Sequence, residues 1–162
     1  MRSRLSFALA TIGLLVAAPA LPAETGQAAP DFTIKMFDGS KTRLDDYRGK
    51  VLVINYWATW CGPCKAEMPM MSRFHQRNKG KGFEIIGVVT RDSVPKYKLK
   101  KVEELLSYPL ASSLKGKYGT IDGAVPTTYI IDRKGQVRHA KAGAFSEAEF
   151  NRLILPLLAE QP

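Results

Sequence analysis

Hydrophobic residues are arranged along this chain in short continuous runs and in longer stretches with helical spacing. The continuous runs at residues 51–56 and 83–90 are rich in Val and Ile, which indicates strands buried on both faces of a sheet. Shorter segments bounded by turn signals such as Asp38-Gly39 predict further strands. These segments cover residues 31–36, 41–44, 109–111, 127–131 and 136–142.

Stretches with helical spacing predict four helices between these strands. The first starts at the cysteine segment and extends to about residue 78, with a kink expected at Pro69. The last, residues 146–158, opens with a capping box formed by Ser146 and Glu149. The other two predicted helices cover residues 94–108 and 112–118.

The order of these elements predicts the fold class. A β-hairpin comes first, followed by β-α-β-α and then β-β-α. Buried strands that alternate with helices form a sheet covered on both faces, and the turn at Lys134-Gly135 adds an antiparallel pair. The sequence therefore predicts an α/β protein with a central mixed sheet, helices on both faces and an extra N-terminal β-hairpin.

The first residues have the composition of an export signal. Arg2 and Arg4 precede an apolar stretch at residues 5–18, which at about fourteen residues is shorter than a bilayer span of about twenty. Small residues follow, and cleavage is favoured after Ala23. Residues 1–23 are therefore predicted to be a signal peptide or, if uncleaved, a membrane anchor, and residues 24–162 one domain. Either outcome places the domain in the bacterial periplasm or at the extracytoplasmic face of the membrane.

Charge narrows the choice of partner. The chain carries 24 Lys and Arg against 15 Asp and Glu, a net charge of +9. For an exported protein, this excess argues against a nucleic-acid partner and favours an anionic membrane surface or an acidic protein. The sign of the charge does not choose between these two. The sequence carries no clear oligomerisation signal, so a monomer is expected.

The only two cysteines, Cys61 and Cys64, are separated by two residues at the start of the first predicted helix. Unpaired N–H groups and the positive end of the helix dipole stabilise a thiolate there. A second thiol one turn on can resolve a mixed disulfide, so the pair predicts dithiol/disulfide chemistry that requires no cofactor. Cys61 is expected to be the exposed attacking thiolate and Cys64 the buried resolving thiol. Between them, Gly62 permits close approach by a substrate backbone, and Pro63 suits the first helical turn.

Other interpretations of the cysteine pair are weaker. A zinc site needs further ligands, and His75 and His139 do not form a paired pattern. A structural disulfide across two residues closes too short a loop to stabilise the chain much. Cu(I) binding through the two cysteines remains an alternative function. Met68, Met70 and Met71 suggest further copper ligands, although methionines on such a helix usually pack in the core.

Four segments of the chain resemble one protein family. They are residues 29–32 with the following Asp38-Gly39 turn, 44–49, 55–69 and 125–132. Residues 55–64 read NYWATWCGPC, and the last segment begins VPTTYIID. With these motifs the chain resembles the thioredoxin superfamily and, within it, the exported TlpA/ResA-like thiol-disulfide oxidoreductases, over nearly all of residues 24–162. The resemblance implies a thioredoxin-like fold.

The resemblance also implies roles for residues outside the cysteine pair. In this fold the proline at position 126 is typically cis and lies against the dithiol. Pro126 and the preceding Val125 are therefore expected to expose backbone that pairs with an incoming polypeptide. An ordinary turn proline is the alternative for Pro126. Trp60 is expected to border the dithiol as an apolar contact surface.

The same resemblance assigns the proton of the buried thiol. Thioredoxins place a buried aspartate where this chain has Asn55, which cannot take a proton. TlpA/ResA-like proteins often carry an acidic residue after the second buried strand, and Asp92 stands there, so Asp92 is predicted to manage the proton of Cys64. Glu67 is the second candidate. The simpler alternatives are a helix N-cap before Val94 for Asp92 and a surface charge for Glu67.

The function predicted from these residues is the reduction of disulfides in client proteins outside the cytoplasm. The Gly62-Pro63 pair is that of thioredoxin, which is strongly reducing, whereas strong oxidants of this fold usually carry a histidine there. By resemblance, the clients are apocytochrome c cysteines, or copper-site cysteines of a respiratory oxidase and its assembly factors. A reductant in an oxidising compartment needs a transmembrane thiol electron donor. A peroxidase is a third hypothesis, because peroxiredoxins share the hairpin opening, but they place a threonine before the reactive thiol instead of Gly62-Pro63 and a second cysteine.

Overall fold

The structure, a computed structural model, describes residues 22–161. The predicted signal peptide or anchor falls almost wholly outside the described residues and stays a prediction. Within residues 22–161, no helix has the length and apolar character needed to cross a membrane. The elements of this part of the chain are β1 (Phe32–Met36), β2 (Lys41–Arg43), β3 (Val51–Trp57), α1 (Gly62–Asn78), β4 (Phe83–Val89), α2 (Lys96–Glu103), β5 (Leu110–Gly116), β6 (Thr127–Ile131), β7 (Val137–Ala142) and α3 (Glu147–Ala159).

These strands join one mixed sheet in the order β2-β1-β5-β4-β3-β6-β7. β3 lies inside the sheet, parallel to β4 and antiparallel to β6, and every residue of β3 is buried. The β3 segment is apolar at successive positions because both of its faces pack against other elements. The mixed sheet predicted from the sequence is confirmed.

The two faces of the sheet are covered differently. α1, α2 and α3 all pack on one face, where Phe74, Leu99 and Phe150 belong to one buried cluster. The other face packs against two short 3₁₀ helices at Leu44–Tyr47 and Ile121–Gly123. Helical elements therefore cover both faces, as predicted, but the α-helices all lie on the same side.

Most of the segment predicted to be a helix, residues 112–116 of 112–118, belongs instead to a strand, β5. This strand pairs in parallel with the end of β4 and antiparallel with β1, where Ile34 faces Leu114. Ser112 and Ser113 have no strong local preference for a strand, so pairing of this part of β5 with β1 overrides the local pattern. β5 thereby joins the N-terminal hairpin to the middle of the sheet.

The helices α1 and α3 agree with their predicted bounds, whereas α2 does not. α1 continues through Pro69, and the Ser146 hydroxyl accepts a hydrogen bond from the Glu149 N–H at 3.2 Å at the start of α3. α2 ends at Glu103, well before the predicted end at residue 108. The Glu103 carboxylate then accepts a hydrogen bond from the Leu110 N–H at 2.7 Å, where the chain enters β5.

The topology brings three chain segments to one edge of the sheet. β3 and β4 are parallel, so their carboxyl ends, Trp57 and Val89, lie side by side. β6 is antiparallel to β3, so its first residue, Thr127, lies near the end of β3. The Cys61 segment, the loop after β4 and the loop containing Pro126 therefore meet at this edge, which we call the dithiol edge.

Candidate active site

Cys61 and Cys64 are joined by a disulfide at the dithiol edge, with their Cα atoms 5.3 Å apart. Cys61 is the N-cap of α1, and its Sγ accepts a hydrogen bond from the Cys64 backbone N–H at 3.1 Å. Cys64 is fully buried, and Cys61 is only 3 % exposed. The prediction of an exposed Cys61 is therefore wrong for the disulfide form, because both cysteines belong to the apolar cluster that packs under α1.

The N-terminus of α1 supplies the electrostatic setting for Cys61. The N–H groups of the first turn have no partners within the helix, and one of them points at Cys61 Sγ. The helix dipole and this hydrogen bond both favour the thiolate once the disulfide is reduced. Lys65 is exposed on the same turn and adds positive charge, while Gly62 and Pro63 are also exposed. A Cβ built on Gly62 meets no atom within 4 Å, so a substrate backbone has room to approach.

The Val125–Pro126 peptide bond is cis, as the resemblance implied. The Val125 carbonyl oxygen lies 3.5 Å from Cys61 Sγ, so this loop faces the disulfide. The Pro126 carbonyl oxygen accepts a hydrogen bond from the Gly143 N–H at 2.8 Å, which ties the loop to the end of β7. The Val125 N–H has no backbone acceptor within residues 22–161. Val125 therefore presents backbone groups that another polypeptide can pair with.

Glu67 is buried one helical turn beyond Cys64. Its Oε1 accepts a hydrogen bond from Asn55 Nδ2 at 2.9 Å, and its Oε2 accepts one from the Phe145 N–H at 2.9 Å. Burial raises the pKa of the Glu67 carboxyl above its ordinary value, and the two hydrogen bonds and the charge of Lys141 offset only part of that effect. The interpretation of Glu67 as a surface charge is therefore wrong.

Asn55 is a buried hydrogen-bond donor to the Glu67 carboxyl. It is fully buried in β3, and its Nδ2 donates to Glu67 Oε1 at 2.9 Å and to Thr128 Oγ1 at 3.0 Å. Within the described part of the chain, its Oδ1 has no hydrogen-bond partner. The amide cannot take a proton, as expected, but sequence reasoning missed that it positions Glu67. No local signal marks this contact, because it joins the middle of the sheet to α1.

Asp92 lies in the loop after β4 and accepts hydrogen bonds from nearby loop residues. Its Oδ2 accepts from the Thr59 N–H at 2.5 Å, and its Oδ1 accepts from Thr59 Oγ1 at 3.0 Å and from the Val94 N–H at 2.9 Å. Burial acts to raise the pKa of Asp92, but these hydrogen bonds outweigh it and hold the pKa below its ordinary value. Asp92 is not the N-cap of α2, because that helix begins at Lys96, after Pro95.

Trp60 and Arg91 form the outer rim of the dithiol edge. Trp60 is 59 % exposed, and its Nε1 donates to the Arg91 carbonyl oxygen at 3.0 Å. Arg91 has a φ of 47°, and its guanidinium donates to the Gly123 carbonyl oxygen. The rim therefore joins the loop before α1, the loop after β4 and the loop before Pro126. Sequence reasoning found Trp60 but missed Arg91, because an arginine gives no sign of a left-handed backbone.

The three methionines of α1 lie in the buried cluster beneath that helix, which confirms that Met68, Met70 and Met71 pack in the core. Within residues 22–161, no three His, Cys, Asp or Glu side chains come together as ligands for a metal ion. A metal at the dithiol edge would therefore have the two cysteine sulfurs and no third ligand of these types.

Proteins that hold a dithiol at a helix N-terminus against a cis-proline loop exchange disulfides with other proteins, and this chain has the thioredoxin-like fold that supports such exchange. The chain is therefore a thiol-disulfide oxidoreductase, and the Cys61–Cys64 disulfide is the oxidised form of its redox centre. It belongs to the AhpC/TSA family, whose model matches residues 25–140.

Similar proteins agree with this assignment. The chain is 35 % identical over 133 residues to the thiol-disulfide oxidoreductase ResA of Geobacillus kaustophilus (strain HTA426), covering 78 % of this chain and 74 % of ResA. It is 31 % identical over 136 residues to the thioredoxin-like protein YneN of Bacillus subtilis (strain 168), covering 81 % of this chain and 79 % of YneN. A solved structure of a thioredoxin-family thiol:disulfide interchange protein from Chlorobium tepidum TLS matches with a TM-score of 0.67 and 28 % identity, covering 87 % of this chain and 99 % of that one. The predicted thioredoxin-like fold is thereby confirmed.

Proposed function

We propose that this protein is an exported reductant that transfers electrons from its Cys61–Cys64 dithiol to disulfides in client proteins. The observation that carries the proposal is the buried carboxyl of Glu67, one turn beyond Cys64, at a site where Cys61 Sγ accepts a hydrogen bond from a helix N–H. The helix N-terminus favours the thiolate of Cys61, which attacks first, and the Glu67 carboxyl lies near the Cys64 thiol, which loses its proton in a later step. The Gly62-Pro63 pair, shared with thioredoxin, supports the reducing direction.

The reaction begins with attack of the Cys61 thiolate on one sulfur of the client disulfide. A bond forms between Cys61 Sγ and that sulfur, and the other client sulfur leaves as a thiolate and takes a proton. Cys64 then loses its proton, and its thiolate attacks Cys61 Sγ in the mixed disulfide. The second client sulfur leaves and is protonated, and the Cys61–Cys64 disulfide remains. Two electrons have passed to the client, whose two cysteines end as thiols.

We assign the proton of Cys64 to Glu67. The two residues are three positions apart on α1 and therefore lie on the same face of the helix. The raised pKa of Glu67 brings it closer to the pKa of a thiol, which favours proton transfer between them. Asp92 is less suited to this role, because its hydrogen bonds and lowered pKa keep it ionised, and none of those bonds reaches a cysteine.

Client backbone is proposed to pair with Val125 beside Cys61. The Val125 carbonyl oxygen lies 3.5 Å from Cys61 Sγ, and the open space above Gly62 leaves room for an extended segment. A strand added in this way gains main-chain hydrogen bonds that do not depend on the client sequence. Trp60 adds an exposed apolar surface at the rim, on which client side chains can pack.

The proposed setting is outside the cytoplasm, with residues 1–23 as a signal peptide or anchor. Arg2, Arg4 and the apolar stretch at residues 5–18 support export. An oxidising compartment keeps returning the pair to the disulfide, so repeated turnover requires a transmembrane thiol donor. The TlpA/ResA resemblance supports cytochrome c cysteines before haem attachment, or copper-site cysteines of a respiratory oxidase, as clients.

The reduction potential of the Cys61–Cys64 pair tests the direction of transfer. The protein is equilibrated in dithiothreitol or glutathione buffers, and its redox state is read by thiol alkylation and Trp60 fluorescence. A value near or below about −250 mV supports a reductant, and a value near about −120 mV makes the protein an oxidant. Turnover of disulfides by a Cys61→Ser variant would overturn the dithiol mechanism. Stoichiometric Cu(I) binding without disulfide turnover would favour the metal-binding alternative.

A further inference from the structure

A groove runs along the outer surface of α1, on the side where the chain leaves α2. Its first part has a volume of about 400 Å³, and a second hollow of about 540 Å³ continues it as far as Ser107. The two hollows are continuous, and we call the combined surface the α1 groove. The residues common to both hollows are Ser72, Arg73, Leu105 and Leu106.

The α1 groove has an apolar floor and one apolar wall. Met68 lines the first hollow, and Val102, Leu105 and Leu106 form the wall opposite α1. Leu105 is 83 % exposed, more than any other large apolar side chain of the described residues. Single exposed leucines are common, but this one borders a concave apolar surface, which is the form that binding sites take.

Partly buried hydrogen bonds fix the wall of the α1 groove in place. Ser107 donates its backbone N–H to Ser72 Oγ at 2.9 Å and its hydroxyl to the Ser72 carbonyl oxygen at 2.6 Å. Nδ1 of the buried His75 lies 3.0 Å from the same hydroxyl. Because Ser107 is anchored to α1, the preceding Leu105 and Leu106 are held at the groove, and a partner does not have to order them on binding.

The α1 side of the groove is basic. Lys65, Arg73 and Arg77 line it, and Glu104 is the single acidic residue that faces them. Within residues 22–161, Lys65 and Arg73 form no ion pair, and Arg77 approaches Glu147 only to 3.9 Å. These cations are therefore available to carboxylates of a partner.

We propose that the α1 groove binds an apolar, carboxylate-bearing segment of the client polypeptide, beside the disulfide under attack. The proposal rests on the reductase function proposed above and adds the class of sequence that the enzyme prefers. Lys65 directly follows Cys64, so the groove opens at the dithiol edge. Arg73 lies about 18 Å along α1 from Cys61, the length of about five or six extended residues.

The shape of the groove favours a polypeptide over a lipid surface. Side chains of a bound peptide can enter a hollow of about 400 Å³ that is lined by Met68 and Leu106. A bilayer is broad and contacts only groups that project from the protein. The excess of Lys and Arg over Asp and Glu attracts an acidic peptide over longer distances and acts in the same direction as the cations of the groove.

Two synthetic peptides test the proposal. Each has one internal disulfide, flanked on both sides by a six-residue segment with two leucines. In one peptide, glutamates stand two and five residues from the cysteine, and in the other, lysines replace them. The second-order rate of each peptide with the reduced protein is measured in a single turnover, with bis(2-hydroxyethyl) disulfide as a small neutral reference. We expect the acidic peptide to react about tenfold faster, the size of one or two good interfacial contacts. Added salt is expected to shrink this difference.

Matched variants locate the effect. Arg73→Glu is expected to remove most of the preference for the acidic peptide, while Lys65 and Arg77 remain in the groove. Leu105→Gln is expected to lower the rate with the acidic peptide about tenfold, relative to the same variant's rate with the small disulfide. Arg152→Glu and Leu155→Gln make the same changes at exposed positions of α3. Arg152→Glu is expected to change the preference between the peptides much less than Arg73→Glu does, and Leu155→Gln is expected to leave the rate with the acidic peptide unchanged relative to the small disulfide.

The outcomes separate the two proposals. Reduction of bis(2-hydroxyethyl) disulfide with equal rates for the two peptides overturns the groove proposal and leaves the reductase function standing. Failure of the wild-type protein to reduce the small disulfide overturns the reductase function. Binding to phosphatidylglycerol vesicles that Leu105→Gln abolishes, together with no preference between the peptides, overturns the groove proposal in favour of a membrane surface.

Discussion

Glu67 and Asp92 both belong to elements that meet at the dithiol edge, yet their surroundings give them opposite properties. Glu67 is buried between β3 and the Phe145 segment and accepts two hydrogen bonds. Asp92 is only partly buried and accepts three, from Thr59 and Val94. The pKa of Glu67 lies above its ordinary value, and the pKa of Asp92 lies below its own.

The difference in pKa between Glu67 and Asp92 shows how burial and hydrogen bonds together set the protonation of an acid near a dithiol. Burial disfavours the charged form of both groups, but it dominates only where the donors are too few to replace the lost water. Glu67 therefore keeps its proton to higher pH, which is why we propose it as the group that exchanges a proton with Cys64. Asp92 stays an anion that organises the loop before α1. The place of Asp92 after the second buried strand suggests it for proton transfer. The burial and raised pKa of Glu67 favour Glu67 instead.

Glu67→Gln is expected to have the largest effect, because it removes the proton-transfer group and keeps the shape of the side chain. The mixed disulfide between Cys61 and a peptide should be resolved by Cys64 about 10²-fold more slowly. The rate is measured from a preformed mixed disulfide across a range of pH, and the titration of Glu67 should disappear from the profile. Asp92→Asn is the matched control and should leave the rate near the wild-type value. Equal slowing by both substitutions would contradict the assignment of Glu67.

Asn55→Asp should increase the difference in pKa between Glu67 and Asp92. It places a second carboxyl against Glu67, whose Oε1 lies 2.9 Å from the Asn55 amide nitrogen. Two buried carboxyls this close do not both ionise readily, so the apparent pKa of the pair should rise by about one unit or more. The pH profile of mixed-disulfide resolution should then move to higher pH. In a Glu67→Gln background the same substitution should not move it, and an equal shift there would assign the effect to another group.

Asp92→Ala tests the structural role of the second carboxylate. The Thr59 and Val94 N–H groups lose their acceptor, so the free energy of unfolding of the disulfide form should fall by about 1–2 kcal/mol. Urea unfolding measures this loss. Thr59→Val removes only the hydroxyl bond to Asp92, at 3.0 Å, and should cost less. A loss as large as that of Asp92→Ala would show that the backbone contacts contribute little.

The smallest expected effect is on the pH dependence of stability, where the two acids act in opposite directions. The pKa of Asp92 in the folded state is below its ordinary 3.8, so its stabilisation is present above that pH and is lost as pH falls through the folded pKa. The pKa of Glu67 is above its ordinary 4.5, so the free energy of unfolding falls as pH rises from that value through the raised pKa.

Urea unfolding at a series of pH values separates these two contributions. Glu67→Gln should remove the decline on the neutral side, and Asp92→Asn should remove part of the decline on the acid side. Superimposable curves for the wild-type protein and Glu67→Gln would show that the buried carboxyl has the same pKa in the folded and unfolded states.

The parts of the molecule that could be predicted from the sequence carry local signals. The runs of Val and Ile mark β3 and β4, because a strand buried on both faces has no polar side. The spacing of Cys61 and Cys64 at the start of a helix marks the redox pair, and the family resemblance of the Val125-Pro126 motif identifies the loop that faces it. Each of these signals lies within a few residues of the feature that it predicts.

The parts that could not be predicted depend on contacts between distant positions. Glu67 is one charged residue on a helix with exposed and buried faces, and its partners Asn55 and Phe145 lie 12 and 78 positions away. β5 contains Ser112 and Ser113, which have no strong preference for a strand, and this part is extended because it pairs with the distant strand β1. Propensity and spacing hold no information about such partners.

β5 also sets the order in which the sheet can close. The Ser112 hydroxyl donates to the Lys35 carbonyl oxygen, 77 positions away in the chain. In a chain that emerges N-terminus first, β1 and β2 are available long before β5, and a two-stranded ribbon alone is marginally stable in water. Such pairings have a high contact order and form slowly. We therefore expect the N-terminal hairpin to join the sheet only after β5 has been made, so that until then the nascent hairpin is a segment for a chaperone to bind.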